Sequence, residues 1–329
     1  MNPQINRRAA LKAGAALAAA SSLPAWAQAK PVIRFAAVFS DKDIRAGMVQ
    51  MFANDIEGDF KLDPFYNGTL FKQGTELVAL QRDNLEMGNI APQDISKQIP
   101  AWSLLTSAYL FRDANHLNNF FASDLGVQMK KMVEDQLKVK ILGPTFFGTR
   151  QVGLKPKKKI TTPADMAGIK LRMPPGEAWQ LLGRSLGANP TPMAYAEVYT
   201  GLQTGAIDGQ DNPLPNVQNM KFYETMSQIV LTSHLIGFDL LCVNMKTWNA
   251  MSPTKQKTFQ AAADKAIAWS TGEHQKRETE LADGFKKQGL EVYAPDTKAF
   301  RDFAQKTYSA SDEAKDWPKG MLEKINAMK

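Results

Sequence analysis

Two arginines stand where an α/β chain would hold an anion. Arg172 closes an apolar run in "IKLRMPPGEAW", just ahead of a helix that opens after two prolines, and Arg150 follows an apolar run in "FFGTR". Open α/β sheets bind ligands beyond the carboxyl ends of their strands, which is the position of Arg172. A guanidinium stays charged at physiological pH and presents paired N–H donors that match a carboxylate. The residue type and its place together point to anion recognition. The competing reading of Arg172 is a strand-end side chain whose head snorkels to solvent.

The remaining chemistry-bearing residues do not assemble into a catalytic or metal motif. His116, His234 and His274 lack metal-ligand spacing and are expected to be structural, with His234 in "LTSHLIG" kept as a candidate for a cleft. Asp208 and Asp211 are three apart, but no EF-hand pattern or second acidic cluster accompanies them, so turn formation and capping explain them better. The chain carries no G-x-S-x-G elbow, H-E-x-x-H, Walker A loop or G-x-G-x-x-G after its first strand. An enzymatic reading, a hydrolase or lyase acting on an acid, would have to use Asp208, Asp211 or Glu197 as its base. The expectation is a binding protein with no cofactor and no metal. Cys242, the single cysteine, sits in "FDLLCVNM" and reads as a buried small hydrophobe.

These residues must be positioned by a larger frame. A chain of 329 residues exceeds the usual size of one core, so two domains around a cleft are expected. Strand and helix patterns alternate from Val32: strand to Phe39, helix about Asp41–Glu57, strand Phe60–Phe65, helix about Thr75–Asn84, short strand Leu85–Ile90. A second series follows "VKILGPTFF", with strands near Gln151–Lys155 and Ile169–Met173 and a helix about Gly176–Leu186. The spacing implies βαβ units, a mostly parallel sheet, and two α/β domains meeting near residue 148. Ile229–Val243 is too long for one ordinary strand and is expected to bend and cross between domains. Pro253–Gln288 reads as one helix, with Phe259, Ala262, Ala263, Ala266, Trp269, Leu281 and Phe285 on its apolar face. At 1.5 Å per residue it is roughly 50 Å long, enough to brace both domains.

The N-terminus reads as an export signal: Arg7, Arg8 and Lys12 precede the apolar run Ala13–Ala20, and Ala25-Trp26-Ala27-Gln28-Ala29 offers small residues for cleavage. "NRRAALK" is similar to a twin-arginine signal, which places the mature chain in the periplasm. Its 40 basic and 33 acidic residues give a net charge of +7, and without Arg7, Arg8 and Lys12 the balance of 37 against 33 leaves +4. That suits anionic ligands. The basic cluster Lys155–Lys159 lacks interleaved aromatics and runs into a helix start, so it reads as a solvated turn, and no nucleic-acid or membrane surface is expected.

Three stretches, "TPADMAGIKLRMP", "GANPTPMAYAEVYTGLQTGAIDGQDNPLPNVQNMKFYE" and "MKTWNAMSPTKQKTFQAA", together resemble the extracytoplasmic solute-binding subunits of TRAP transporters, the DctP-type receptors. The resemblance spans essentially the whole mature chain. It implies a two-lobed periplasmic-binding-protein fold (type II-like), two α/β domains joined by hinge strands and a long bracing helix. Residues 30–147 plus about 238–276 would form the first domain, and 148–237 plus about 277–329 the second. It implies a monomeric receptor that captures an organic acid and delivers it to small and large integral-membrane subunits of a sodium-driven transporter; an ABC-type receptor is the alternative. Arg172 resembles the arginine that pairs with the ligand carboxylate, Arg150 a second cleft arginine, Asn212 a carboxamide on the same carboxylate, and Tyr195 an aromatic packed on the ligand. Asn89, Gln93 and Phe238 complete the candidate lining. Phe39, Ala91 and Pro92 suggest a less polar upper pocket, so a short-chain or aromatic carboxylate, a 2-oxo or hydroxy acid, is expected rather than a sugar acid.

Overall fold

The computed structural model describes residues 30–328, so the export signal read in residues 1–29 lies outside them. Nine strands, β1 (Val32–Ala36), β2 (Lys61–Phe65), β3 (Met87–Ile90), β4 (Val139–Leu154), β5 (Lys170–Met173), β6 (Asn189–Pro192), β7 (Gly209–Pro213), β8 (Gln228–Asn244) and β9 (Glu291–Tyr293), form one sheet. Its order is β2-β1-β3-β8-β4-β7-β5-β6, with β9 beside β8. The short outer strands pair in parallel with helical crossovers, as the alternation of patterns requires, while β4 and β8 run antiparallel through the centre.

Those central strands correct the sequence reading. Val139–Phe147 and Gln151–Lys155 are not two runs but one 16-residue strand, paired along its length with the 17 residues of β8. Register shifts fall between Ile141 and Gly143, Phe146 and Gly148, and Arg150 and Val152, so the ribbon bends without losing its pairing. At the bend Gly148 (φ +115°) pairs with Gly237, and a Cβ on Gly237 would stand 2.7 Å from the Gly148 carbonyl oxygen. Glycine at 148 hides the continuity from a sequence reading, and glycine at 237 makes the close approach possible.

The helix Pro253–Lys287 starts on Ser252, whose hydroxyl accepts from the Lys255 amide, and on Pro253 in its first turn, where no N–H is needed. Its Phe259, Ala262, Ala263 and Ala266 pack with β1 and the helix Ile44–Ile56, where Phe259 meets Phe52 edge-on at 4.9 Å. Two turns from its other end Leu281 and Phe285 join a core with Val198, Ile207 and Leu214. One helix therefore contributes to cores on both sides of the bend. Trp269 departs from the expected apolar face: it is 37% exposed, its ring covering Gly47, where a Cβ would lie 2.7 Å away. Pro213 ends β7 and is the residue before the helix Leu214–Asn219. The Lys155–Lys159 turn is solvated, and Cys242 is fully buried in the core.

Candidate functional site

The loops beyond the strand ends converge on a cleft with about 630 Å³ of empty space including its mouth. Six of the eight residues singled out from sequence line it: Phe39, Asn89, Arg150, Arg172, Tyr195 and Asn212. Gln93 and Phe238 instead line a smaller adjoining pocket that shares Phe147, Arg150 and Trp179 with the cleft. Phe238 is a core aromatic there, packed on Phe111 and Phe121, so it does not shape the main cavity.

Three buried arginines dominate the cleft, and they differ in their partners. Arg45, on the first turn of the helix Ile44–Ile56, donates from Nε and Nη2 to Asp43 at 2.9 Å each and from Nη1 to Asp239 at 2.6 Å. Asp43 also caps that helix through the Arg45 amide. Phe39 and Phe147 sandwich the guanidinium, each ring centroid 4.3 Å from Cζ. Burial works against the Arg45 charge, but the carboxylates of Asp43 and Asp239 outweigh it and push its pKa up. Asp239 also accepts from Asn89 Nδ2 at 2.9 Å, and Asn89 Oδ1 takes the Thr145 hydroxyl.

Arg150, on β4, forks onto Asp211 of the neighbouring β7, with Nε to Oδ2 at 2.7 Å and Nη2 to Oδ1 at 2.9 Å. Its Cζ lies 4.9 Å from the Trp179 ring centroid. Burial alone would raise the Asp211 pKa; the Arg150 charge and the hydrogen bonds from His234 and Arg150 hold it down at about 2. Burial pushes His234 below its usual value, so the neutral ring donates from Nε2 to Asp211 (3.1 Å) and accepts the Thr232 hydroxyl at Nδ1 (2.8 Å). His234 is thus a support behind the cleft. Asp211 is an ion-pair partner, not the turn residue expected from sequence, and Asp208 accepts from the Lys170 amide at the start of β5. Among the acids of the enzymatic reading, Asp211 is locked to Arg150, Asp208 to backbone, and Glu197 is exposed outside the cleft lining.

Arg172 is the penultimate residue of β5 and is only 1% exposed, which excludes the snorkelling alternative. It has no ion pair among the described residues. Its Nε donates to the Met193 carbonyl at 2.8 Å and its Nη2 to Gln73 Oε1 at 3.3 Å, both neutral acceptors. Burial pushes its pKa down to about 10, against the attraction of Asp211. It remains a cation at neutral pH. Tyr195 stands beside it, ring centroid 5.8 Å from Cζ, with its amide donating to Gln73 Oε1 at 2.7 Å and its hydroxyl receiving Asn216 Nδ2 at 3.1 Å. Gln73 comes from the loop between β2 and β3, so one side chain joins the β1–β3 end of the sheet to the β5–β7 end. Asn212 is 3% exposed and donates to Gln210 at 2.6 Å.

Sequence reasoning missed Arg45, Asp43, Asp239, Gln73, Glu76, Trp179 and Asn216, all cleft-lining except Asp43. The motif "SDKDIR" holds the N-cap Asp43 and, two residues on, Arg45, but nothing in it announces Asp239. The upper pocket is mixed: Phe39 and Ala91 line it, and the Arg45 guanidinium is stacked on the Phe39 ring.

The arrangement can fix an anion at Arg172 and offer further polar contacts around it. A model of the DctP family, described as bacterial extracellular solute-binding protein, family 7, matches residues 35–314. The sialic acid-binding periplasmic protein SiaP of Vibrio cholerae is 29% identical over 85% of this chain and 87% of its own. The 2,3-diketo-L-gulonate-binding periplasmic protein YiaO of Escherichia coli is 30% identical over 75% of each. A crystal structure of a TRAP periplasmic solute-binding protein from Roseobacter denitrificans, with bound 3-deoxy-D-manno-oct-2-ulosonic acid, superposes with a TM-score of 0.89 at 41% identity, covering 91% of this chain and 99% of that one. With the family match spanning most of the chain and the two-lobed fold in common, this protein belongs to the DctP family of bacterial extracellular solute-binding proteins.

Proposed function

We propose that the protein is a periplasmic receptor that captures an organic acid by its carboxylate at Arg172 and delivers it to the two membrane subunits of a TRAP-type transporter. The observation that carries this reading is the buried Arg172 cation with no carboxylate partner beside two arginines that have them. A carboxylate ligand supplies the missing charge in a fork geometry that leaves Asn212 and Tyr195 at hand. The ligands named for the relatives, sialic acid, 2,3-diketo-L-gulonate and an octulosonic acid, are all carboxylic acids. Capture without chemistry agrees with the commitment of Asp208 and Asp211 to internal bonds.

The two domains hinge where β4 and β8 bend at Gly148 and Gly237, near the boundaries 147/148 and 237/238. Export uses the leader in residues 1–29, and no helix among the described residues is long and apolar enough to cross a membrane. Native mass spectrometry of protein purified without refolding tests the reading: an acid of defined mass should be released intact. Release of a converted product would favour the enzymatic alternative, and binding of only cationic or neutral solutes would overturn the assignment of Arg172.

A further inference from the structure

Carboxylate capture at Arg172 leaves two features of the same cleft without a purpose. Glu76 Oε1 and Asn216 Oδ1 are buried acceptor oxygens with no hydrogen-bond partner among the described residues, on cleft-lining side chains only 3% and 2% exposed. Such orphans are rare, because an unmet buried acceptor is destabilising. Their companion atoms are already fixed. Glu76 Oε2 accepts the Gly74 amide at 2.7 Å, and Asn216 Nδ2 donates to Tyr195 Oη at 3.1 Å and to Asp43 Oδ2 at 3.3 Å. Asp43 is held ionised by Arg45 and only accepts, so it dictates which end of the Asn216 amide is nitrogen and leaves Oδ1 free.

The two oxygens need a donor from the ligand. An ammonium would have to enter a cleft that already holds Arg45, Arg150 and Arg172, and of the lining acids besides Glu76, Asp239 is bonded to Arg45 and Asp94 to Lys97. Burial, with Asp94 nearby, raises the Glu76 pKa to about 7, which weakens it further as a counterion. A hydroxyl fits both protonation states, donating to a carboxylate and accepting from a carboxylic acid. Glu76 opens the helix Glu76–Gln81 between β2 and β3, and Asn216 lies on the helix after β7, so the pair reaches the ligand from opposite ends of the sheet.

We propose that Glu76 and Asn216 read hydroxyl groups of the bound acid and set a preference for polyhydroxylated acids over acids with an apolar tail. This rests on the carboxylate capture proposed above and names the ligand class of that site. A site built to hydrogen-bond a hydroxyl rejects the analogue lacking it, because its own polar groups are then left unpaired.

Calorimetric titration of the mature protein with 3-deoxy-D-manno-oct-2-ulosonic acid, sialic acid and D-glucuronate, against 2-oxooctanoate and hexanoate, tests it. The tightest polyhydroxylated acid should bind at least about a hundredfold better than either apolar-tailed acid. Glu76→Ala and Asn216→Ala should each weaken that acid by roughly ten- to a hundredfold, with 2-oxooctanoate unchanged within about threefold. Glu76→Gln, which keeps an acceptor for Gly74 and a polar head for the ligand, should stay within about tenfold of wild type. The wild-type comparison needs no variant, and thermal melts check that the variants fold. If apolar-tailed acids bind as well as hydroxylated ones, or both alanine variants keep the wild-type preference, the hydroxyl reading is overturned while carboxylate capture stands. If no acid binds, or Arg172→Ala leaves acid binding unchanged, carboxylate capture fails and the hydroxyl reading falls with it.

Discussion

Replacing Arg172 by alanine should separate binding from folding. The folded protein holds this guanidinium in a site that lowers its pKa from 12.5 to about 10, mainly by burial. At about 1.4 kcal/mol per unit, the charged form is disfavoured by about 3 kcal/mol at neutral pH, where the group is protonated both folded and unfolded. Two neutral hydrogen bonds, to Met193 and Gln73, offset part of that cost. Without ligand, Arg172→Ala should leave stability unchanged or up to about 2 kcal/mol higher. With ligand, losing one partner of a buried, forked ion pair costs about 3–5 kcal/mol, roughly a hundred- to several-thousandfold in affinity. Arg172→Lys should recover only part of it, since an ammonium lacks the planar fork.

Arg150→Ala provides the control, because its guanidinium is already paired. Its loss strands the fully buried Asp211 carboxylate, so the penalty should appear in the ligand-free melt, at about 3–5 kcal/mol or on the order of 10 °C. Calorimetric titration and differential scanning calorimetry on the three variants and wild type decide between them. The reasoning is refuted if Arg172→Ala binds within about threefold of wild type, or if it melts as early as Arg150→Ala.

Three further outcomes follow from the bend. Burial raises the Glu278 pKa from 4.5 to about 7, against a hydrogen bond from the Thr149 amide, so the folded state binds more protons and stability from this group falls as pH rises from about 4.5 to 7. Glu278→Gln should therefore shrink the loss of ligand-free stability between pH 5 and 8 by about 2 kcal/mol, and parallel pH profiles for the two proteins would disprove the assignment. Gly148→Ala would place a Cβ 2.7 Å from Pro213 Cβ at φ +115°, so it should destabilise by about 2–3 kcal/mol; an unchanged denaturation midpoint would refute the strain. Saturating acid should shift the protein toward a more compact population in small-angle scattering, and identical radii with and without it would count against a hinge at residues 148 and 237.

The legible part of the site was the part carried by local sequence. Arg172, Tyr195 and Asn212 lie within strand-end and turn motifs whose residues are neighbours in the chain, and they do line the cleft. Arg45 was missed because what defines it is Asp239, 194 residues away, and no local pattern announces that pair. Phe39 looked like an apolar wall for the same reason: its role depends on the guanidinium stacked against it. Glu76 sits in the first helical turn, where an acid needs no further explanation, so only its burial and its unpaired oxygen mark it out. In the fold, the alternation of patterns located the outer strands, but the continuity of β4 was masked by Gly148, since glycine with positive φ ordinarily ends a strand.

The distribution of charge in the cleft bears on how closure could be coupled to the ligand. Arg45 has two carboxylates and Arg150 has one, and these bonds lie within the protein whether or not a solute is present. Arg172 has only amide oxygens, one of them on Gln73 from the other end of the sheet. A neutral amide oxygen is a weaker partner than a carboxylate, so the Gln73 contact favours closing slightly while leaving most of the desolvation cost of Arg172 unmet. On the proposed reading, an acid supplies the missing carboxylate only when the walls meet, and this differential contact shifts the population. To move from 1% to 99% closed requires about 5.5 kcal/mol of preference for the closed state. The Arg172 pair contributes about 3–5 kcal/mol of that, and hydroxyl contacts to Glu76 and Asn216, from opposite ends of the sheet, can supply the remainder. By the same arithmetic, an acid with an apolar tail that engaged Arg172 alone at about 3 kcal/mol would leave roughly four receptors in ten open.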